Sequence, residues 1–260
     1  MFVDSHCHLS FPELRGRIEE IRQAMQEAEV DRALCICTTL EEFPTVHQLA
    51  LRHPEFAASV GVHPDNEGVQ EPDETLLVQL ARQRGVVAIG ETGLDYYRLN
   101  GRSIGDMAWQ RERFRVHIRA ARECGLPLVV HTRAAGDDTI TLLREEGAGQ
   151  VAGVLHCFTE TRAVAEAALE LGLYISFSGI LTFKNAEELR EVARHVPLER
   201  CLIETDSPYL APVPFRGKTN QPAYVRHVAA ALAGIKGCTV EEIGASTTAN
   251  YDRLFGPQHG

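Results

Sequence analysis

His6-Cys7-His8 places two imidazoles two residues apart. On a strand that spacing points both side chains the same way, so one strand end can offer two nitrogens to one ion. Further candidates follow along the chain: His63 in Gly61-Val62-His63-Pro64, Glu91 in Gly90-Glu91-Thr92-Gly93-Leu94-Asp95, His131 in His131-Thr132-Arg133, His156 in His156-Cys157-Phe158, and Asp206 in Glu204-Thr205-Asp206-Ser207-Pro208. Imidazole and carboxylate together suit a borderline or hard divalent ion: Zn²⁺, Mn²⁺, Ni²⁺, or Mg²⁺ with more water. Six candidates, His6, His8, Glu91, His131, His156 and Asp206, are too many for one catalytic ion that keeps an open position. They suit two ions that share a carboxylate. Such a pair, about 3.5–4 Å apart, clamps a phosphoryl or carbonyl centre and generates hydroxide at neutral pH.

The elements that must carry these residues repeat along the chain. Short apolar runs at 2–7, 32–38, 56–62, 86–91, 126–132, 153–157, 173–178 and 201–206 read as strands. Most are continuous rather than alternating, as parallel strands buried on both faces require. Amphipathic helices are predicted at 15–29, 109–124, 163–171, 187–195, 222–235 and 240–255. Eight strand-helix units without a composition break predict an α/β fold, a single TIM (β/α)₈ barrel over residues 1–260. The candidate residues then fall at the C-terminal ends of the strands, the face on which such barrels build their sites. A doubly wound open sheet is the competing reading, but no Gly-x-Gly-x-x-Gly follows the first strand.

The remaining histidines, His47, His53, His117, His195, His227 and His259, read as solvated or half-buried surface groups. Glu204 reads as a buried carboxylate behind the ligands. Asp95 reads either as a loop cap or as part of the site. Arg133 and Arg216 are candidate donors to phosphate oxygens, or else solvated arginines. Tyr96, Tyr97 and Tyr209 either stack on a base or pack into the core.

With a net charge of −10, the chain does not resemble proteins that coat nucleic acid with a basic face. An enzyme acting on phosphate esters remains compatible, because bound metals supply local positive charge. Seven cysteines at irregular spacings read as reduced, small apolar residues. No apolar run spans a membrane and no secretory leader is visible, so a cytoplasmic location is expected. Nothing calls for an obligate protein partner.

Five stretches in order resemble the signatures of the TatD family, a branch of the metal-dependent amidohydrolases: Asp4-Ser5-His6-Cys7-His8, the run from Gly90 to Tyr97, His156-Cys157-Phe158, the run from Glu204 to Leu210, and Arg216-Gly217-Lys218-Thr219-Asn220. Thr159-Glu160 is similar to the YcfH-type branch. The resemblance implies a TIM barrel with two divalent ions and nuclease activity. It implies His6, His8, Glu91 and Asp206 around one ion, and Glu91, His131 and His156 around the other. It also implies His63 beside the substrate phosphate. One departure shows: many members carry Asp where this chain has Ala134, which offers no hydrogen bond to a ligand, so metal affinity or ligand orientation is expected to differ.

The expected reaction is hydrolysis of DNA by a metal-bound hydroxide, with Asp206 taking the proton of the attacking water and Glu91 and His63 completing the catalytic set. An acidic surface favours exonuclease action on single strands or ends. The alternatives are an esterase or amidohydrolase, for example on an aminoacyl-tRNA ester, and a metal-binding scaffold without turnover.

Overall fold

The computed structural model describes residues 1–147 and 149–256. Eight strands, β1 (Phe2–Cys7), β2 (Val30–Cys35), β3 (Phe56–Val60), β4 (Val86–Asp95), β5 (Leu128–Arg133), β6 (Gly153–Leu155), β7 (Tyr174–Phe177) and β8 (Cys201–Ile203), form one parallel sheet in chain order. A parallel bridge between Cys7 and Ser207 returns the last strand to the first. The result is a nearly closed TIM barrel.

Around it run α1 (Ile18–Glu27), α2 (Phe43–Arg52), α3 (Glu74–Ala81), α4 (Ala108–Cys124), α5 (Gly136–Gly147), α6 (Arg162–Glu170), α7 (Glu187–His195), α8 (Val225–Lys236) and α9 (Val240–Phe255). The sequence predicts six of these and leaves α2, α3 and α5 out. Their signals are local: Pro44 opens α2, and the Asp73 side chain caps α3 by accepting from the Leu76 amide at 2.8 Å. None of the helices among the described residues is long and apolar enough to cross a membrane.

Two apolar layers hold the barrel. The larger joins the outward faces of the strands to the helices, through residues such as Ile21, Phe114 and Leu232. The smaller fills the interior at the N-terminal half of the strands, with Val3, Leu34, Ala88, Val129, Val154 and Leu202 packed on Tyr251, Leu254 and Phe255 of α9. That end is sealed by side chains. The polar residues are left at the opposite end.

Several strands stop earlier than their apolar runs predict. β6 ends at Leu155 and β8 at Ile203, so His156 and Asp206 stand on the loops just beyond. β3 ends three residues before His63. β4 instead runs past Glu91 to Asp95.

Candidate metal centre

Two bulges aim the central residues. β1 advances from Asp4 to Cys7 while β2 advances only from Ala33 to Cys35. β4 advances from Ile89 to Thr92 while β5 advances only from Leu128 to Val130. An extra residue in one strand breaks strict alternation and re-aims a side chain. Glycine makes the second bulge possible. Gly90 has φ 147° and Gly93 φ 133°, and a Cβ would lie 2.6 Å from the Val129 carbonyl oxygen at the first and 2.0 Å from that of His131 at the second. No larger residue lets β4 lie this close to β5.

Glu91, buried between these glycines, is met by five imidazoles. Its Oε2 lies 3.3 Å from His6 Nε2 and 3.8 Å from His8 Nε2. Its Oε1 lies 2.7 Å from His156 Nε2, 3.2 Å from His131 Nδ1 and 3.3 Å from His63 Nε2. Asp206 Oδ1 completes the first side, 3.3 Å from His8 Nε2 and 3.6 Å from His6 Nε2. The sequence-predicted set of six thus comes together, with one oxygen of Glu91 turned to each half.

Hydrogen bonds behind the cluster read out the tautomers. His156 Nδ1 donates to the buried Glu204 at 3.2 Å, and His131 Nε2 donates to Asp95 at 3.0 Å. In the neutral ring each carboxylate therefore leaves the other nitrogen with a lone pair facing Glu91. His156 Nε2, although 2.7 Å from Glu91 Oε1, has no hydrogen-bond partner. Two lone pairs held side by side this way need a cation between or beside them. Together with the imidazole-carboxylate chemistry, this buried and unpartnered nitrogen shows that the residues fit divalent metal.

His63 differs. Its Nδ1 accepts from the Asp65 amide at 3.0 Å, so in the neutral ring the proton sits on Nε2. His63, Glu91 and His131 are near enough to form a ligand group. The tautomer, however, gives His63 an Nε2–H donor, 3.3 Å from Glu91 Oε1 where both residues line the cavity, and a donor suits an anionic oxygen better than a metal.

Charge follows the same pattern. Burial alone would raise the pKa of Glu91, but the imidazoles of His156, His63 and His6 and the His131 hydrogen bond outweigh it and hold the carboxyl well below its ordinary range. Burial likewise opposes ionisation of Asp206. The His8 hydrogen bond and the charges of His6, His8 and His156 overcome it and keep its pKa low. Burial disfavours a charged His156, yet Glu91 and Glu204 lift its pKa well above normal, so the two carboxylates favour positive charge at Nε2, whether a proton or a metal ion carries it.

A cavity of about 780 Å³ opens over the cluster, lined among others by Phe11, Asp65, Arg98, Arg133, Tyr209 and Leu210. Arg133 stands in its wall, its guanidinium 3.8 Å over the Tyr97 ring. Arg216 is not brought there. It is exposed, stacked 3.6 Å over Phe183, and donates to the Ala211 carbonyl at 3.1 Å, because its own loop and that ring engage the guanidinium. Arg98, which the sequence did not single out, lies in the wall instead. Tyr96 is buried and donates to Asp138 at 2.7 Å, whereas Tyr97 and Tyr209 are exposed. The Cys7 thiol donates to the Leu34 carbonyl and that of Cys157 to Ser178.

One expectation needs correction. His117 is not a surface histidine: it is fully buried, with Nε2 accepting from the Val62 amide at 3.0 Å and Nδ1 donating to the Arg113 carbonyl at 2.8 Å. A helical position facing the barrel overrides the polarity of the residue when both ring nitrogens find partners. At Ala134, which offers no hydrogen bond, the His131 ring is held by Asp95 instead. Ala134 itself is exposed with φ 53°. His259 lies outside the described residues.

The comparisons with known proteins agree with this geometry. A family model described as TatD related DNase matches residues 3–256. The metal-dependent hydrolase YcfH of Escherichia coli K12 is 48% identical over 97% of this chain and 95% of its own length. A protein of Escherichia fergusonii named as a 3'-5' ssDNA/RNA exonuclease TatD is 36% identical over 88% of this chain and 89% of its own. Among solved structures, the TatD homolog YJJV of Escherichia coli K12 superposes with a TM-score of 0.89 at 27% identity, covering 99% of this chain and 98% of its own.

Proposed function

This chain belongs to the TatD family of metal-dependent hydrolases, and from that premise we propose that it is a deoxyribonuclease acting on single-stranded DNA and strand ends with two divalent ions. One observation carries the reading: Glu91 turns Oε2 to His6 and His8 and Oε1 to His131 and His156. A carboxylate shared in this way is what a two-ion site requires. His6, His8, Glu91 and Asp206 would hold one ion, and Glu91, His131 and His156 the other. When bound, the ions lower the pKa of water and offset the charge that develops on the phosphate.

The chain's own residues do the rest. Asp206, kept ionised and partly open to the cavity, accepts the proton of the attacking water. His63 presents Nε2–H to a non-bridging phosphate oxygen, and Arg133 adds a cation in the cavity wall. Glu204 and Asp95 keep His156 and His131 in the tautomers that face Glu91. Residues 1–260 act as one catalytic domain. The cysteines, free of disulfides, support a reducing compartment, the cytoplasm. The relative named as an exonuclease on ssDNA and RNA supports nucleic acid as the substrate class.

The test combines elemental analysis with product analysis. Protein stripped and reloaded with Zn²⁺, Mn²⁺, Ni²⁺ or Mg²⁺ is incubated with end-labelled single-stranded and duplex DNA, and with charged tRNA. Two ions per chain and stepwise release of 5′-mononucleotides from single strands are expected. Release of free amino acid from charged tRNA without cleavage of DNA would replace this reading by ester hydrolysis.

A further inference from the structure

The walls of the cavity are unlike each other. The side that follows β4 and β5 carries Arg98, 3.9 Å from Asp65, and Arg133, stacked on Tyr97. The opposite side of the barrel mouth, which follows β7, β8 and β1, carries Phe11, Ile180, Tyr209 and Leu210. Aromatic rings on this second wall step outward from the cluster. His8 stacks on Phe11 at 4.6 Å, tilted 17°, and Phe11 meets Tyr209 edge-on at 6.2 Å. The series ends at Tyr209, a residue 52% exposed.

The backbone under that ring is strongly determined. The buried side chain of Asn220 donates to the carbonyls of Tyr209, at 2.6 Å, and Thr205, at 2.8 Å, and its amide donates to that of Pro208 at 3.0 Å. Leu210 is held at φ 56°, a conformation costly for a branched residue, and its carbonyl packs so closely on Gly179 that a Cβ there would lie 2.1 Å away. Strain of this kind persists only where the surroundings impose it, and it gathers at ligand clamps. A large aromatic ring left half in water on so rigid a loop gains nothing for the core.

We propose that Tyr209, with Phe11 beneath its edge, is a stacking shelf for the nucleobase next to the scissile phosphate, and that Arg98 and Arg133 across the cavity receive the phosphate of the neighbouring nucleotide. The proposal rests on the nuclease reading above. Its basis is complementarity: a single strand offers planar bases on one side and anionic phosphates on the other, and the cavity offers an aromatic wall facing a cationic one. A base in a duplex is stacked on its faces and paired along its edge, so the shelf also selects single strands.

The experiment compares two oligonucleotides on the metal-loaded enzyme, one with natural bases and one with abasic residues at its terminal nucleotides. The wild-type protein cleaves the first with a higher kcat/KM, chiefly through KM. Tyr209→Ala should erase most of that preference, lowering kcat/KM on the natural strand about 5- to 100-fold, while Tyr209→Trp and Tyr209→Phe restore it. Arg98→Ala should flatten the dependence of binding on salt by about 0.7 in the log–log slope. Equal losses on both oligonucleotides, or none on either, would overturn the shelf while leaving the nuclease reading in place. Failure of the wild-type enzyme to cleave either strand would remove the nuclease reading and the shelf's occupant together.

Discussion

Arg113, on α4, reaches across to donate to the backbone carbonyl of His63 at 2.9 Å. The same guanidinium nitrogen donates to the Asn66 carbonyl at 2.8 Å, and the rest of the group pairs with Glu71. One helical turn on, His117 accepts from Val62. Two residues of one helix face thus fix both sides of His63 while remaining behind the cavity wall.

Removing that grip should show in turnover more than in binding. Arg113 is 4% exposed, so Arg113→Ala leaves buried carbonyls without a donor and should cost about 3 kcal/mol of stability. Arg113→Lys keeps the charge but not the fork, and is the kinetic probe. A roughly 10- to 100-fold fall in kcat with a smaller change in KM is expected as His63 loses its placement. Steady-state kinetics beside a thermal melt separate this from simple unfolding; wild-type kcat in Arg113→Lys would count against it.

Glu91→Ala addresses the bridge. Both halves of the cluster lose a ligand at once, so both ions and all measurable activity should go. Inductively coupled plasma analysis and far-UV circular dichroism on the same sample check this: a folded barrel with less than one ion per chain is expected. Retention of two ions would show that Glu91 is not shared.

The sequence carried the site further than its positioning. His6, His8, Glu91, His131, His156 and Asp206 were legible because each ends an apolar run, and parallel strands bring such ends together. The bulges in β1 and β4 were not, since they depend on register with a neighbouring strand. Arg113 and His117 were hidden because a charged residue and a histidine on an amphipathic helix look solvent-facing until their partners are known. Arg216 looked useful through its motif, but its contacts within the loop and on Phe183 decide otherwise. Strand ends were misplaced where an apolar run continues into a loop, as at β6 and β8.

Ala134 offers a test of backbone conformation apart from chemistry. At φ 53° its Cβ crowds the backbone, a cost of about 1–2 kcal/mol that Gly avoids and Asn tolerates better. The entropy Gly loses on folding offsets part of the gain. Ala134→Gly and Ala134→Asn should each stabilise by about 0.5 kcal/mol and raise Tm by about 1–2 °C, with metal content unchanged. A fall in Tm for both would mean that the left-handed conformation is not the strained feature.

His117 gives the pH dependence with the clearest sign. Burial strips the ring of solvent and the Arg113 charge adds to the effect, so its pKa falls from an ordinary 6.5 to about 4. The folded protein keeps the ring neutral, since Nε2 must stay unprotonated to accept from Val62. In the unfolded chain the ring takes up a proton as pH drops below 6.5. Between those values the unfolded state binds more protons, so stability rises with pH. The contribution is complete above about pH 6.5 and declines by up to about 1.4 kcal/mol per unit on acidification. By pH 4 the loss attributable to this one ring approaches about 3 kcal/mol. His117→Gln supplies an acceptor to Val62 without a titrating group. Urea denaturation of both proteins from pH 4 to 8 isolates the contribution, because titrations common to the two cancel in the difference. The wild-type stability minus that of His117→Gln should be constant above pH 7 and fall steadily toward pH 4. A difference that stays flat across the range would mean that the folded protein does not hold this imidazole neutral, and that the Val62 hydrogen bond does not place His63.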